Sequence, residues 1–153
     1  MDSISEKLPE LAKKVLDVLG QKDLTLAMAE SATGGYASHL LTNIPGCSKR
    51  FIGGIVAYTA QAKNMMLGVD WDLINDYGTV SPEVCEALLT GLKNAGADVG
   101  LAITGVAGSK LEGKPTGKFY IGVGTQTCNF IHEFQFEGRS EERRVGKECR
   151  SRW

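Results

Sequence analysis

The sequence predicts an α/β protein, a three-layer α/β/α sandwich built on a mixed five-stranded sheet. Three observations predict it. Helical segments separate the first three strand-like segments, the order that builds β-α-β units with a parallel sheet. The last two strand-like segments, 118–126 and 129–137, are joined by a turn too short for a crossover, so they pair as an antiparallel hairpin and make the sheet mixed. Finally, 153 residues at 42% hydrophobic and 23% charged fit one domain with a real core.

The elements follow in order. Ile4, Leu8, Leu11, Val15 and Leu19 keep helical spacing, so a first helix is expected from Ile4 to Leu19, with Gly20 as its stop. "LTLAMAES" (24–31) reads as a buried strand. "ATGGYASHLLTNI" enters a helix for which Ser31 or Thr33 is the expected cap. "RFIGGIVAY" (50–58) is a second strand, followed by a helix through "TAQAKNMML" and a helical turn from Asp70 to Tyr77. Residues 81–96 carry strong start signals: Ser81 as cap, Pro82 in the first turn, then Glu83 and Glu86 near the positive end. "DVGLAITG" (98–105) is the third strand, and "SKLEGKPTG" is a loop before the hairpin.

Charge is uneven along the chain. Residues 1–138 hold ten lysines and one arginine and carry a net −4, whereas "RSEERRVGKECRSRW" (139–153) holds five arginines and carries +3. A basic tail for nucleic acid is one reading. The tail also reads back, codon for codon, into a common short-read sequencing adapter. The domain is therefore expected to be 1–138, with 139–153 a non-native tail and the last helix of the sandwich missing. The acidic body argues against a nucleic-acid partner. No apolar run approaches the roughly 20 residues that span a bilayer, and the amino terminus lacks signal-peptide features. Cys47, Cys85, Cys128 and Cys149 form no C-x-x-C pair, and His39 and His132 lie far apart. Reduced thiols, a cytoplasmic setting and no metal are the expectations.

Three loops follow strand ends: "ESATGG", "YTAQAK" and "ITGVAG". Carboxyl ends of parallel strands form the ligand crevice of open α/β sheets. Parallel pairing would thus bring these loops together, with glycines that let a backbone approach a ligand. Within "GCSKRFIGGIVAYTAQAK" stand Ser48, Tyr58 and Lys63. A serine needs a base. Lysine serves only when neutral, which at its usual pKa holds for about one molecule in a few thousand at pH 7. Burial would have to lower that pKa by roughly 3. Ser48 follows a Pro-Gly turn that can present a hydroxyl beside free amides, and Tyr58 could relay a proton. Three such residues within sixteen also arise often by chance, so unrelated surface residues remain the alternative.

The segments "AESATGG", "PGCSKRFIGGIVAYTAQAK", "YGTVSPEV" and "GLAITGVAG", in this order, resemble the CinA C-terminal domain family, which includes the nicotinamide-nucleotide amidohydrolases. The resemblance covers about residues 5–138. It implies a metal-free hydrolysis of the carboxamide of nicotinamide mononucleotide to nicotinate mononucleotide and ammonia, without cofactor. It implies Ser48 as nucleophile with Tyr58 and Lys63, and a substrate site at Ser31, Thr33, Gly34, Gly35, Thr104 and Gly105. The implied partners are a small nucleotide and further copies of the chain in a homo-oligomer. The chain departs from the family pattern at Ala32 (usually cysteine), Cys47 (serine), Ala60 (asparagine) and Ser109 (proline). A non-catalytic nucleotide-binding or regulatory module, or an inactive truncated fragment, are the alternatives that these departures and the tail leave open.

Overall fold

A computed structural model describes residues 4–138. Five helices and five strands follow one another as α1 (Ile4–Gln21), β1 (Leu26–Glu30), α2 (Tyr36–Thr42), β2 (Phe51–Val56), α3 (Ala60–Leu67), α4 (Trp71–Tyr77), α5 (Pro82–Asn94), β3 (Val99–Gly105), β4 (Lys118–Thr125) and β5 (Asn129–Gln135). A short 3-10 turn, Cys47–Lys49, precedes β2. The sheet order is β2-β1-β3-β4-β5. β1 runs parallel to both β2 and β3, while β3–β4 and β4–β5 are antiparallel. The predicted mixed five-stranded sandwich is the observed one. The expected tail and missing helix lie outside the described residues.

Two cores sit on opposite faces. On one, α3, α4 and α5 pack Leu67, Ile74, Val84, Leu88, Leu89 and Leu92 against Ala27, Ala29, Ala102 and Tyr120 of the sheet. On the other, Ala12, Leu16 and Leu19 of α1 and Leu41 of α2 cover Leu26, Met28 and Phe51. The small residues of β1 explain the close approach, because all five of its side chains are buried between layers.

Local signals set most boundaries. The Ser81 hydroxyl accepts from the Val84 amide at 3.1 Å, with Pro82 opening α5. Thr59 caps α3 by accepting from the Ala62 amide at 3.1 Å, and Asp70 caps α4 through the Asp72 amide at 2.8 Å.

Two helices carry details that the sequence signals do not show. The buried stripe of α1 is Ala12, Leu16 and Leu19, while Leu11 and Val15 are exposed. The helix carries two adjacent apolar stripes, and the one with the small Ala12 packs closest. Nor is α2 capped by Ser31 or Thr33. Its N-cap is Gly35, without a side-chain cap bond. The first-turn amides are instead satisfied from the sheet. Glu30, at the end of β1 and 1% exposed, accepts from the Ala37 amide (3.0 Å), the Ser38 amide (2.7 Å), the Ser38 hydroxyl (2.6 Å) and the Thr33 hydroxyl (2.7 Å). A buried carboxylate is stable only when so surrounded.

Candidate active site

β1, β2 and β3 end together at the carboxyl edge of the parallel half of the sheet, and the three loops meet there as the topology rule requires. A cleft of about 280 Å³ opens at this edge, lined among others by Ser31, Ala32, Tyr58, Thr79, Gly105 and Leu111.

Lys63 lies at the base of this region. It sits one turn into α3, whose start is fixed by the Thr59 cap directly after β2. Side chains on a helix lean toward its amino end, so Lys63 reaches back to the sheet edge. It is 1% exposed. Its Nζ donates to the Ala57 carbonyl at 2.8 Å, to the Tyr58 carbonyl at 3.4 Å and to the Ser31 Oγ at 3.2 Å. No carboxylate makes an ion pair with it among the described residues. Burial therefore dominates and lowers its pKa from the ordinary 10.5 to about 8, with the negative charge of Glu112 opposing the shift.

The hydrogen bonds fit either protonation state. As an ammonium, Lys63 donates to all three oxygens. As a neutral amine it has two protons for the two carbonyls, and its lone pair faces the Ser31 hydroxyl. At a pKa of about 8, about a tenth of the molecules hold the neutral form at pH 7. The Ser31 amide donates to the Ile103 carbonyl at 3.0 Å, which fixes the residue in the β1–β3 ladder. The next two amides, of Ala32 and Thr33, donate to no acceptor among the described residues.

The other predicted residues divide. Tyr58 lines the cleft and is 62% exposed, so its ring stands at the mouth while its carbonyl holds Lys63. Gly105 also lines the cleft, and a Cβ there would strike the Phe119 ring, which explains the glycine. Thr33 gives its hydroxyl to Glu30, and Gly34 and Gly35 form the turn into α2. These three do not border the cleft. Thr104 is fully buried and donates to the Thr79 carbonyl at 2.9 Å, a scaffold bond joining β3 to the cleft wall.

Ser48 is not at this site. It is exposed in the 3-10 turn before β2, at the amino edge of the sheet, whereas Lys63 follows β2. Six strand residues separate the two ends, about 20 Å at strand spacing. The rule that assembles the three loops at carboxyl ends also removes Ser48 from them. The structure pairs Lys63 with Ser31 instead. Sequence reasoning also missed Glu30, whose helix partners stand seven and eight positions on, outside ordinary cap spacing, and Glu112, whose partner Thr79 lies 33 positions away. No group of three or more His, Cys, Asp or Glu that could hold a metal occurs among the described residues. Cys85 is buried, with its thiol pKa pushed up to about 12 chiefly by desolvation, which leaves it a packing residue.

Comparisons with known proteins agree with this architecture. The family model for the CinA C-terminal domain matches residues 8–149. A putative competence-damage inducible protein of Desulforamulus reducens is 41% identical over 140 residues, 88% of this chain and 34% of that protein. A CinA-like protein of Desulfotalea psychrophila is 42% identical over 136 residues, 86% of this chain and 33% of that protein. The chain thus spans about a third of the length of these curated relatives. Among solved structures, a competence-damaged protein (CinA) superfamily protein from Escherichia coli superposes with a TM-score of 0.88 at 28% identity, covering 95% of this chain and 86% of that one. A competence/damage inducible protein from Agrobacterium tumefaciens gives 0.85 at 30% identity, covering 92% and 88%. On the family match and these relatives together, the chain belongs to the CinA C-terminal domain family.

Proposed function

We propose that this domain hydrolyses the carboxamide of nicotinamide mononucleotide to nicotinate mononucleotide and ammonia, with Ser31 as nucleophile and Lys63 as general base. The observation that carries the reading is the buried Lys63 amine, 3.2 Å from the Ser31 Oγ. The substrate rests on the resemblance to the nicotinamide-nucleotide amidohydrolases.

In this mechanism neutral Lys63 removes the Ser31 proton as Oγ attacks the carboxamide carbon. The amide of Ala32, which lines the cleft, is the donor left for the developing oxyanion. The tetrahedral adduct collapses when Lys63 returns its proton to the leaving nitrogen, so ammonia departs and an ester to Ser31 remains. Water, deprotonated by Lys63, then cleaves the ester and restores the serine. Tyr58 stands at the mouth, where its ring can bound the substrate. The same site, formed within one chain, is compatible with the homo-oligomer that the resemblance implies and with a cytoplasmic setting. No helix among the described residues is long and apolar enough to cross a membrane.

The test is ammonia release from nicotinamide mononucleotide. Ser31→Ala and Lys63→Met should each lose at least about 10³-fold in kcat/KM, while Ser48→Ala retains activity. Loss on Ser48→Ala with activity kept in Ser31→Ala would overturn the assignment. A second reading, binding without turnover, is favoured by Ala60, which packs against the core and offers no side-chain amide beside the site. Calorimetry showing mononucleotide binding together with an absence of ammonia would support that reading.

A further inference from the structure

The outer wall of the cleft is fastened by a side chain that the proposed mechanism does not use. Glu112 stands on the loop between β3 and β4, with its backbone in the left-handed region at φ 51°. Non-glycine residues are uncommon there; here the backbone makes a turn closed by the Lys114 amide donating to the Leu111 carbonyl at 2.8 Å, and the carboxylate ties that turn to a neighbouring segment. Glu112 Oε2 accepts from the Thr79 amide at 2.8 Å, and Oε1 accepts from the Thr79 hydroxyl at 2.8 Å. Lys114, two residues on, lies 3.7 Å from Oε2 and donates to the Tyr77 carbonyl at 2.9 Å. Burial works against the Glu112 charge, but the Thr79 bonds and Lys114 outweigh it and hold the carboxyl below the usual carboxylate range.

Gly78 makes room for this clasp. Its φ is 78°, and a Cβ there would strike the Glu112 carboxylate and the Lys114 amine. From the other side, Thr104 holds the Thr79 carbonyl. Thr79 and Leu111, joined through this clasp, both line the cleft that holds Ser31.

We propose that Glu112 is a positioning residue: through Thr79 it locks the loop between β3 and β4 against the segment 78–80, so that the wall facing the substrate is built before substrate arrives. The proposal rests on the amidase reading for its kinetic part. The Glu112 charge also opposes the Lys63 shift, but alanine and glutamine remove that charge alike, so the signature of the clasp is the difference between the two variants, and it lies in KM.

The experiment compares Glu112→Ala and Glu112→Gln in the full chain, with nicotinamide mononucleotide as probe. Glutamine can still accept the Thr79 amide and can donate to its hydroxyl. Glu112→Ala is expected to raise KM about tenfold with kcat within about threefold, and Glu112→Gln to stay within about threefold of the parent in both. Thr79 amide exchange, followed by NMR, is expected to speed up about tenfold or more in Glu112→Ala alone. Unchanged exchange in Glu112→Ala would overturn the proposal. So would a loss confined to kcat, or equal impairment by alanine and glutamine. If the parent chain releases no ammonia, the amidase reading fails by itself, and the Thr79 exchange comparison decides the clasp.

Discussion

Replacing Lys63 by methionine should make the chain's stability respond differently to pH, and the size of the effect can be worked from the structure. Lys63 titrates near 8 in the folded chain against an ordinary 10.5. Below pH 8 both folded and unfolded chains carry the proton, and burying the ammonium costs about 3 kcal/mol. Between these two values the unfolded chain binds a proton that the folded chain does not, so stability rises with pH. From pH 7 to pH 10 the wild type should gain about 2.5 kcal/mol from this group alone. Methionine fills similar space without a charge. It leaves the Ala57 and Tyr58 carbonyls without their donor, a loss of about 1–3 kcal/mol that does not depend on pH.

The quantity to measure is the stability difference between Lys63→Met and wild type by urea unfolding at both pH values. All other titrating groups cancel in it. It should move by about 2.5 kcal/mol toward the wild type on going to pH 10. With urea slopes of about 1–3 kcal/mol per molar, that is a relative midpoint shift of about 0.8–2.5 M. At pH 7 the variant should be as stable as the wild type or more so, despite losing activity. A difference that stays constant within about 0.5 kcal/mol across this range would refute the reasoning, because it would mean that Lys63 titrates alike folded and unfolded.

Further outcomes follow from the same geometry. The acidic limb of kcat/KM for ammonia release should bend near pH 8, where Lys63 titrates, and fall about tenfold per pH unit below it; a bend near pH 6 would point to another base. Glu30→Ala removes the acceptor of four hydrogen bonds and should cost about 2–4 kcal/mol in urea unfolding. Gly105→Ala drives a methyl group into the Phe119 ring and should cost about 1–3 kcal/mol, with a lowered Tm. Thr104→Val keeps the shape but frees the Thr79 carbonyl, a loss of about 1–2 kcal/mol in the same assay.

Much of the fold was legible because its signals are local. Ser81 with Pro82, Thr59 and Asp70 start helices through amides two or three residues away. The helix-separated strands and the closing hairpin dictated the mixed sheet. Lys63 was legible as a candidate because a lysine early in a helix after a strand end can be buried at the crevice. What failed depended on partners outside the short spacings that capping rules read. Glu30 caps α2 from a neighbouring strand, so the nearby Ser31 and Thr33 looked like the caps. Glu112 meets Thr79 across 33 positions, which no spacing rule reveals. Ser48 failed differently: its nearness to Tyr58 and Lys63 in sequence ran along a strand and therefore became distance in space.

The central claim is that a neutral amine at position 63 activates the Ser31 hydroxyl. Labelling with a sulfonyl fluoride and locating the adduct by peptide mass spectrometry tests it most directly. The account predicts an adduct on Ser31 whose formation accelerates between pH 6 and pH 9 and disappears in Lys63→Met. An adduct on Ser48, or a Ser31 adduct formed equally fast without Lys63, would contradict it.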